Sequence, residues 1–424
     1  MAETIRSIRG TNDVLPLDSR KWRYIENALF DAAALFGFEE IRIPVFEHTE
    51  VFSRGVGDTT DVVQKEMYTF DDRGGRSITL RPEFTAGVMR SLIEHGAVNG
   101  ALPVKVCYAG GCYRYEKPQA GRLREFHQFG IECVGAGDCS ADAEVIELAN
   151  HLLTSLGLNG IALKINSIGC PECRMEYYKA LKAYFAEHTN ELCGTCCERL
   201  ERNPMRILDC KSPICSEIAE GAPAITDYLC DACKEHFEGV QAQLKAMGIN
   251  YTIDTRIVRG LDYYTRTVFE FVSDDLGAQS TVLGGGRYDG LLSILGGPST
   301  PAVGFAMGLE RLMMVLEAQG ISLPCDKRCD LYIAPIGNPA HVEASRLCKM
   351  LRDSGYSVEC DIVGRGLKAQ MRYANKLGAS YTLVLGDSEI ESKKAVLKEM
   401  ESGNEAAIEL NDNFVKQFSN SISK

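Results

Sequence analysis

Two stretches of this 424-residue chain place residues able to do chemistry at regular spacing. The first runs from Cys170 to Cys233 and holds nine of the 17 cysteines: Cys170, Cys173, Cys193, Cys196, Cys197, Cys210, Cys215, Cys230 and Cys233. Cys170/Cys173, Cys193/Cys196 and Cys230/Cys233 are C-x-x-C pairs, and Cys210/Cys215 is a looser fourth. Each pair can present two thiolates to one tetrahedral ion, so eight ligands suit two structural zinc sites of four cysteines, with one thiol spare. Free cysteine also packs as a small buried hydrophobe. Repeated C-x-x-C spacing favours zinc, which would hold a small fold together and take no part in catalysis.

The second stretch, Cys112 to Glu132, reads CYRYEKPQAGRLREFHQFGIE. Two alternating runs flank the turn-rich Lys117–Gly121, which predicts an antiparallel hairpin. Period two sets Phe126, Gln128, Gly130 and Glu132 on one face and His127, Phe129, Ile131 and Cys133 on the other. Cys112, Arg114 and Glu116 share a face of the outgoing run. One side could therefore display Arg114, Glu116, Gln128 and Glu132 around a glycine, where a ligand could approach the backbone. A solvated sheet face fits the same spacing.

The totals bound what these residues could belong to. The length calls for two or three domains, and 45% hydrophobic with 25% charged residues is globular composition. MAETIRSIRG has no apolar leader core, and no stretch is long enough for a membrane span, so no membrane partner and a cytoplasmic location are expected. A net charge of −12 argues against a nucleic-acid coat but leaves room for local basic patches.

The elements that must position the chemistry follow from periodicity. Lys21–Phe36 predicts an amphipathic helix ended by Gly37. FEEIRIPVFEHTEVF reads as a strand interrupted by Pro44. Met67–Phe70 and Ile78–Leu80 form a hairpin ending at Pro82, and Glu83 could begin a helix. A helix over Asp138–Leu156, a strand over Ile161–Ile165, a helix over Asp231–Gly248 and strands over Ile253–Val258 and Val268–Val272 come next. Gly284–Gly286 matches neither a dinucleotide nor a phosphate loop and defaults to a turn. Gly304–Gln319 reads as a helix with Phe305, Leu309, Leu312 and Leu316 on one stripe. After a linker, strand and helix alternate from Leu331 to Gly386, predicting a small α/β domain with a largely parallel sheet.

The strand arginine, the acidic residue two positions on, the loop and GRLREFHQFGIE resemble the second motif of class II aminoacyl-tRNA synthetases, and of the histidyl-tRNA synthetase family in particular. RGLDYY at Arg259–Tyr264 and GGGRYDG at Gly284–Gly290 resemble that family's own two signatures, and GFAMGLERL resembles the third class II motif. The resemblance covers nearly the whole chain. It implies an α/β protein: an α+β catalytic domain on an antiparallel sheet (1–169 and 249–320), a cysteine-rich insertion (170–248), a linker (321–329) and an α/β anticodon-binding domain (330–424).

The resemblance also implies roles. Glu83 and Thr85 receive the α-ammonium of histidine; Gln128, Glu132, Tyr264 and Tyr288 complete its pocket. Arg259 faces the histidine carboxylate and the α-phosphate, Arg114 flanks that phosphate, and both are catalytic. Glu116, Arg122, Phe126 and Arg311 bind ATP, with Phe126 on adenine and Arg311 on the γ-phosphate, and Mg2+ assists. Lys117–Gln119 would meet the acceptor end of tRNA(His). Asp262 could instead be only a partner for Arg259. The Lys21–Phe52 region resembles the first motif, which builds a homodimer interface. A non-catalytic paralogue serving as regulatory subunit of ATP phosphoribosyltransferase is the alternative, disfavoured by the intact arginines and the full C-terminal domain.

Overall fold

The alternation across Cys112–Glu132 produces the hairpin it predicts. Strands Val104–Tyr113 and Glu125–Val134 pair antiparallel from Val104 opposite Val134 to Tyr113 opposite Glu125. A backbone pair between Gln119 and Arg122 closes the loop, with Gly121 in the left-handed region at φ +68°. The computed structural model describes residues 4–57, 60–324 and 329–422, without the side chains of 277–279. Two compact units result, Met1–Ser322 and Leu323–Lys424; residues 325–328 of the expected linker lie outside the described ones.

The hairpin lies in an eight-stranded sheet of the first unit. Its spatial order is Glu39–Glu40, Val104–Tyr113, Glu125–Val134, Ala302–Gly308, Thr281–Arg287, Thr265–Ser273, Ile161–Ser167 and Thr252–Ile253. The six inner strands are antiparallel, and the two short edge strands run parallel to their neighbours. Helix Asp18–Leu35 covers one face, its Trp22 ring edge-on to His127 at 4.9 Å and Phe30 edge-on to Phe129 at 5.6 Å. That leaves the Gln128–Gly130–Glu132 face open for function.

Two glycine-rich segments depart from expectation. Gly284–Gly286 is the middle of strand Thr281–Arg287, not a turn. A Cβ on Gly285 would come within 2.6 Å of Phe305 Cβ and 2.7 Å of Phe269 Cζ, so glycine here admits neighbouring aromatic side chains onto the strand. Gly304–Gly308 is likewise strand, and the expected helix begins only at Leu309 and ends at Ala318. Its i, i+4 glycines fit a helix in isolation, but pairing with both Thr281–Arg287 and Glu125–Val134 makes the segment a buried central strand.

Two expected strands are shorter. The Phe38–Phe52 run is split at Pro44, which has no N–H to give a ladder. Glu39–Glu40 joins the large sheet, Phe46–His48 joins a three-stranded sheet with Thr69–Asp71 and Ser77–Leu80, and Thr49–Val56 is helical. Ile253–Val258 keeps only its first residue in strand Thr252–Ile253. Asp254 then accepts the Arg256 N–H at 3.1 Å and turns the chain.

Residues 170–248 form helices Pro171–Ala186, Gly194–Arg202, Pro213–Glu220 and Asp231–Ala246. Their core is continuous with that of the sheet: Tyr177, Leu181, Phe185 and Leu200 belong to the same buried cluster as Phe84, Tyr264 and Tyr288. In the second unit, Val358–Cys360, Cys329–Pro335 and Ala379–Leu385 are parallel. Lys394–Glu399 and Glu405–Glu409 then add an antiparallel hairpin, so the sheet is mixed and not largely parallel. In KAVLKE the buried residues alternate with exposed ones, as an edge hairpin requires.

Arg287, fully buried, fixes the sheet to helix Cys139–Ser155. Its Nε donates to both Asp142 oxygens at 3.0 and 3.2 Å, and its Nη1 to Ala136 O at 2.9 Å. Removing one member of such a pair strands the other charge in the core. Asp142→Ala is therefore expected to lower the unfolding free energy by about 3–5 kcal/mol, measured by urea denaturation followed through the single tryptophan, Trp22, in the same unit.

Candidate active site

On the open face of the sheet, sequence register becomes a floor. Gly284 pairs with Ala306 and Ala306 with Gly130; Gly286 pairs with Gly304 and Gly304 with Glu132. Small residues on three adjacent strands leave backbone exposed to a cleft of about 1140 Å³. Every residue assigned above to histidine or ATP lines this cleft. The larger side chains lie across the glycines: the Glu132 carboxylate over Gly304, and the Arg259 guanidinium over Gly284.

One end is a closed pocket of tyrosines and carboxylates. Thr85 Oγ1 and Tyr108 Oη donate to Glu132 Oε1 at 2.7 and 2.9 Å, and Tyr288 Oη donates to Glu132 Oε2. Glu83 accepts the backbone N–H of Thr85 at 2.7 Å and of Ala86 at 2.9 Å, so it caps helix Thr85–Glu94 while lining the pocket. Tyr263 packs between Tyr264 and Tyr288, its ring 4.7 and 5.4 Å from theirs. Gln128 Oε1 accepts from Cys112 Sγ at 3.3 Å beside the pocket.

Burial raises the pKa of Glu132 to about 8, despite its hydrogen bonds from Tyr288, Thr85 and Tyr108. Burial also raises that of Glu83. Two buried carboxylates with no cation hydrogen-bonded to either among the described residues favour a ligand that brings N–H donors and positive charge.

The other end is arginine-rich. Arg114 Nε donates to Pro82 O at 2.9 Å and its guanidinium lies 5.1 Å from the Phe126 ring centre. Arg259 donates to Glu270, stands 5.6 Å from the Tyr264 ring centre, and keeps a buried Nε with no hydrogen-bond partner among the described residues. Its carboxylate partner is thus Glu270. Arg311 donates to Gly121 O at 3.2 Å and Thr281 O at 2.9 Å, and Arg122 pairs with Glu116 at 2.5 Å. Burial, then the charges of Arg122 and Arg114, hold the Arg311 pKa below the usual guanidinium value. Such crowded positive charge suits an anion with several oxygens.

Three residues escaped sequence reasoning. Glu270 is the one carboxylate in the apolar strand VFEFV, a visible signal. Tyr108, whose hydroxyl completes the Glu132 shell, carried none. Glu310 accepts the His127 backbone N–H at 2.9 Å and faces its ring Nδ1 at 3.0 Å, fixing the strand that bears Phe126 and Gln128. The cysteines gather as Cys170, Cys173, Cys230 and Cys233, and as Cys193, Cys196, Cys210 and Cys215; Cys197 stands outside both groups.

The pocket carries a pH signature. Since the Glu132 value near 8 stands above the ordinary 4.5, its stabilising share is complete below pH 4.5 and lost as pH rises to 8. Relative to wild type, Glu132→Gln is expected to gain stability across that window and to level off above it. Urea midpoints at pH 5, 7 and 9 check this, and a constant difference between the two proteins would refute it.

Comparison with known proteins follows the same geometry. The family model described as histidyl-tRNA synthetase matches residues 10–184 and 215–312, and an anticodon binding domain matches 330–419. A histidine–tRNA ligase of Acetivibrio thermocellus is 58% identical over 402 residues, covering 95% of this chain and 96% of the relative. The crystal structure of apo S. aureus histidyl-tRNA synthetase superposes with a TM-score of 0.83 at 43% identity, covering 98% of this chain and all of that one. A Bacillus halodurans structure described as an ATP phosphoribosyltransferase regulatory subunit/histidyl-tRNA synthetase reaches a TM-score of 0.67 at 23% identity, over 91% of this chain and all of that one. That last likeness is one of fold alone. With both family models matched and the first relative alike over nearly its full length, the chain belongs to the histidyl-tRNA synthetase family of class II aminoacyl-tRNA synthetases.

Proposed function

We propose that this chain is a histidine–tRNA ligase that joins histidine and ATP into histidyl adenylate and pyrophosphate, then esterifies the 3′ end of tRNA(His). The observation that carries it is the bipolar cleft, with a tyrosine–carboxylate pocket at one end of a glycine floor and four arginines, Arg114, Arg122, Arg259 and Arg311, at the other. Histidine brings what the closed end lacks: an α-ammonium for Glu83 and Thr85, and an imidazole whose N–H groups suit Glu132 and Tyr264 or Tyr288. Gln128 bridges the two. An analogue without ring nitrogens leaves those buried groups unpaired, which discriminates by about 10⁴-fold or more.

The carboxylate of histidine is already nucleophilic, so catalysis rests on positioning and on charge stabilisation at phosphorus. Arg114 and Arg259 flank the α-phosphate. Arg311 takes the leaving pyrophosphate, and Phe126 stacks on adenine with Glu116 and Arg122 beside it. Burial and the charge of Glu116 raise the pKa of Glu66, and Glu270 stands nearby in the cleft. Crowded carboxylates facing phosphate oxygens are a donor set for Mg2+, which would neutralise charge on the phosphates.

The division into 1–169 with 249–320, 170–248, 321–329 and 330–424 follows the motifs, and Lys117–Gln119 meets the acceptor end. The region of helix Asp18–Leu35 builds a homodimer, the enzyme works in the cytoplasm, and the insertion holds structural Zn2+. The regulatory paralogue is disfavoured because both ends of the cleft are complete.

Exchange of labelled pyrophosphate into ATP, run with each of the twenty amino acids and Mg2+, is expected with histidine only. Arg259→Ala should lower kcat/KM about a hundredfold, the cost of losing one preorganised contact to the transition state. Folded protein that exchanges with no amino acid would sink this reading and promote the regulatory one.

A further inference from the structure

The cysteine spacing leaves open which pair joins which, and the fold answers. Cys170 and Cys173 meet Cys230 and Cys233, while Cys193 and Cys196 meet Cys210 and Cys215. Within each quartet all sulfurs lie within 4.8 Å of one another. Tetrahedral zinc, with Zn–S bonds of about 2.3 Å, holds its sulfurs about 3.8 Å apart. Cys170 Sγ and Cys173 Sγ are 3.5 Å apart, and Cys193 Sγ and Cys210 Sγ are 3.9 Å apart. A disulfide needs about 2.05 Å, so these thiols surround a point without bonding to each other.

The local structure suits thiolates. Cys170, Cys193 and Cys230 are the N-cap residues of helices Pro171–Ala186, Gly194–Arg202 and Asp231–Ala246, where unpaired N–H groups favour negative charge. Backbone N–H groups also aim at sulfur: Cys230 N–H donates to Cys173 Sγ, and Cys193 N–H to Cys215 Sγ, each at 3.2 Å. Such second contacts orient metal ligands.

Placement sets the two quartets apart. The first ties the start of the first helix of the 170–248 stretch to the start of its last, closing the root. In the second, Cys193 and Cys210 line the catalytic cleft itself. Both reach the Arg259–Tyr264 segment through an arginine. Arg174, one residue after Cys173, donates to Tyr264 O at 2.9 Å. Arg206, between Cys196 and Cys210, donates to Gly260 O at 3.1 Å.

We propose that the chain binds two zinc ions, one in each quartet, and that the two centres position the Arg259–Tyr264 segment through Arg174 and Arg206. The positioning half rests on the synthetase reading; the metal half stands without it.

Elemental analysis of the full chain, purified under reductant without added metal, is expected to give two zinc ions per chain. X-ray absorption should show four sulfur neighbours at about 2.3 Å. Cys170→Ser with Cys230→Ser, and separately Cys193→Ser with Cys210→Ser, should each leave one ion. If either variant is insoluble, the wild-type count and absorption spectrum decide. One zinc or none, iron in place of zinc, or C-x-x-C disulfides in the reduced preparation would overturn the proposal. Arg206→Ala should keep both ions and the wild-type melting temperature, yet lower kcat of histidine-dependent exchange about tenfold or more, since small misplacements of reacting groups are costly. An unchanged kcat would overturn the positioning half. If wild-type protein exchanges nothing, the synthetase reading fails while the zinc count still judges the metal.

Discussion

Close approach of charged and aromatic side chains to the sheet backbone is the constraint on which this cleft depends. Gly284, Gly286, Gly304 and Gly130 sit in register on neighbouring strands, so that face of the sheet centre carries few side chains of its own, Ala306 and Glu132 among them. Only because of that can the Glu132 carboxylate lie over Gly304 and the Arg259 guanidinium over Gly284. Both are long, costly groups to bury. The floor gives them space, and the hydroxyls of Tyr108, Thr85 and Tyr288, with the carboxylate of Glu270, supply their partners.

The guanidinium groups gather at one end of the floor, with Glu116 and Glu270 as partners for two of them. A chain with net charge −12 keeps Arg114, Arg259 and Arg311 at one end of a single cleft and Glu83 and Glu132 at the other. Each set raises the electrostatic cost of the empty site, and each is relieved by a ligand of opposite sign. A cationic amino acid bound beside a polyphosphate supplies both signs, one to each end.

What the sequence showed depended on how local the signal was. The hairpin was legible because alternation and turn residues are local, and so was helix Asp18–Leu35 with its helical stripe. The role-bearing side chains came from motif resemblance. Gly284–Gly286 reads locally as a turn and Gly304–Gly308 as helix, because strand identity there is decided by partners far along the chain. Phe269 and Phe305, which fill the space at Gly285, signal nothing at that position in the sequence. Cysteine pairing was illegible for the same reason: only the fold brings residue 170 to residue 230.

The glycine floor also restricts how this protein can change. A single methyl group at Gly304 would occupy the place of the Glu132 carboxylate, and one at Gly130 would enter the Tyr108 ring. Neither position can drift by the smallest step available to it unless the residue above shrinks first. Shrinking Glu132 or Tyr108 dismantles the pocket. The floor and the side chains above it are therefore locked together as one unit, in which no member can change alone.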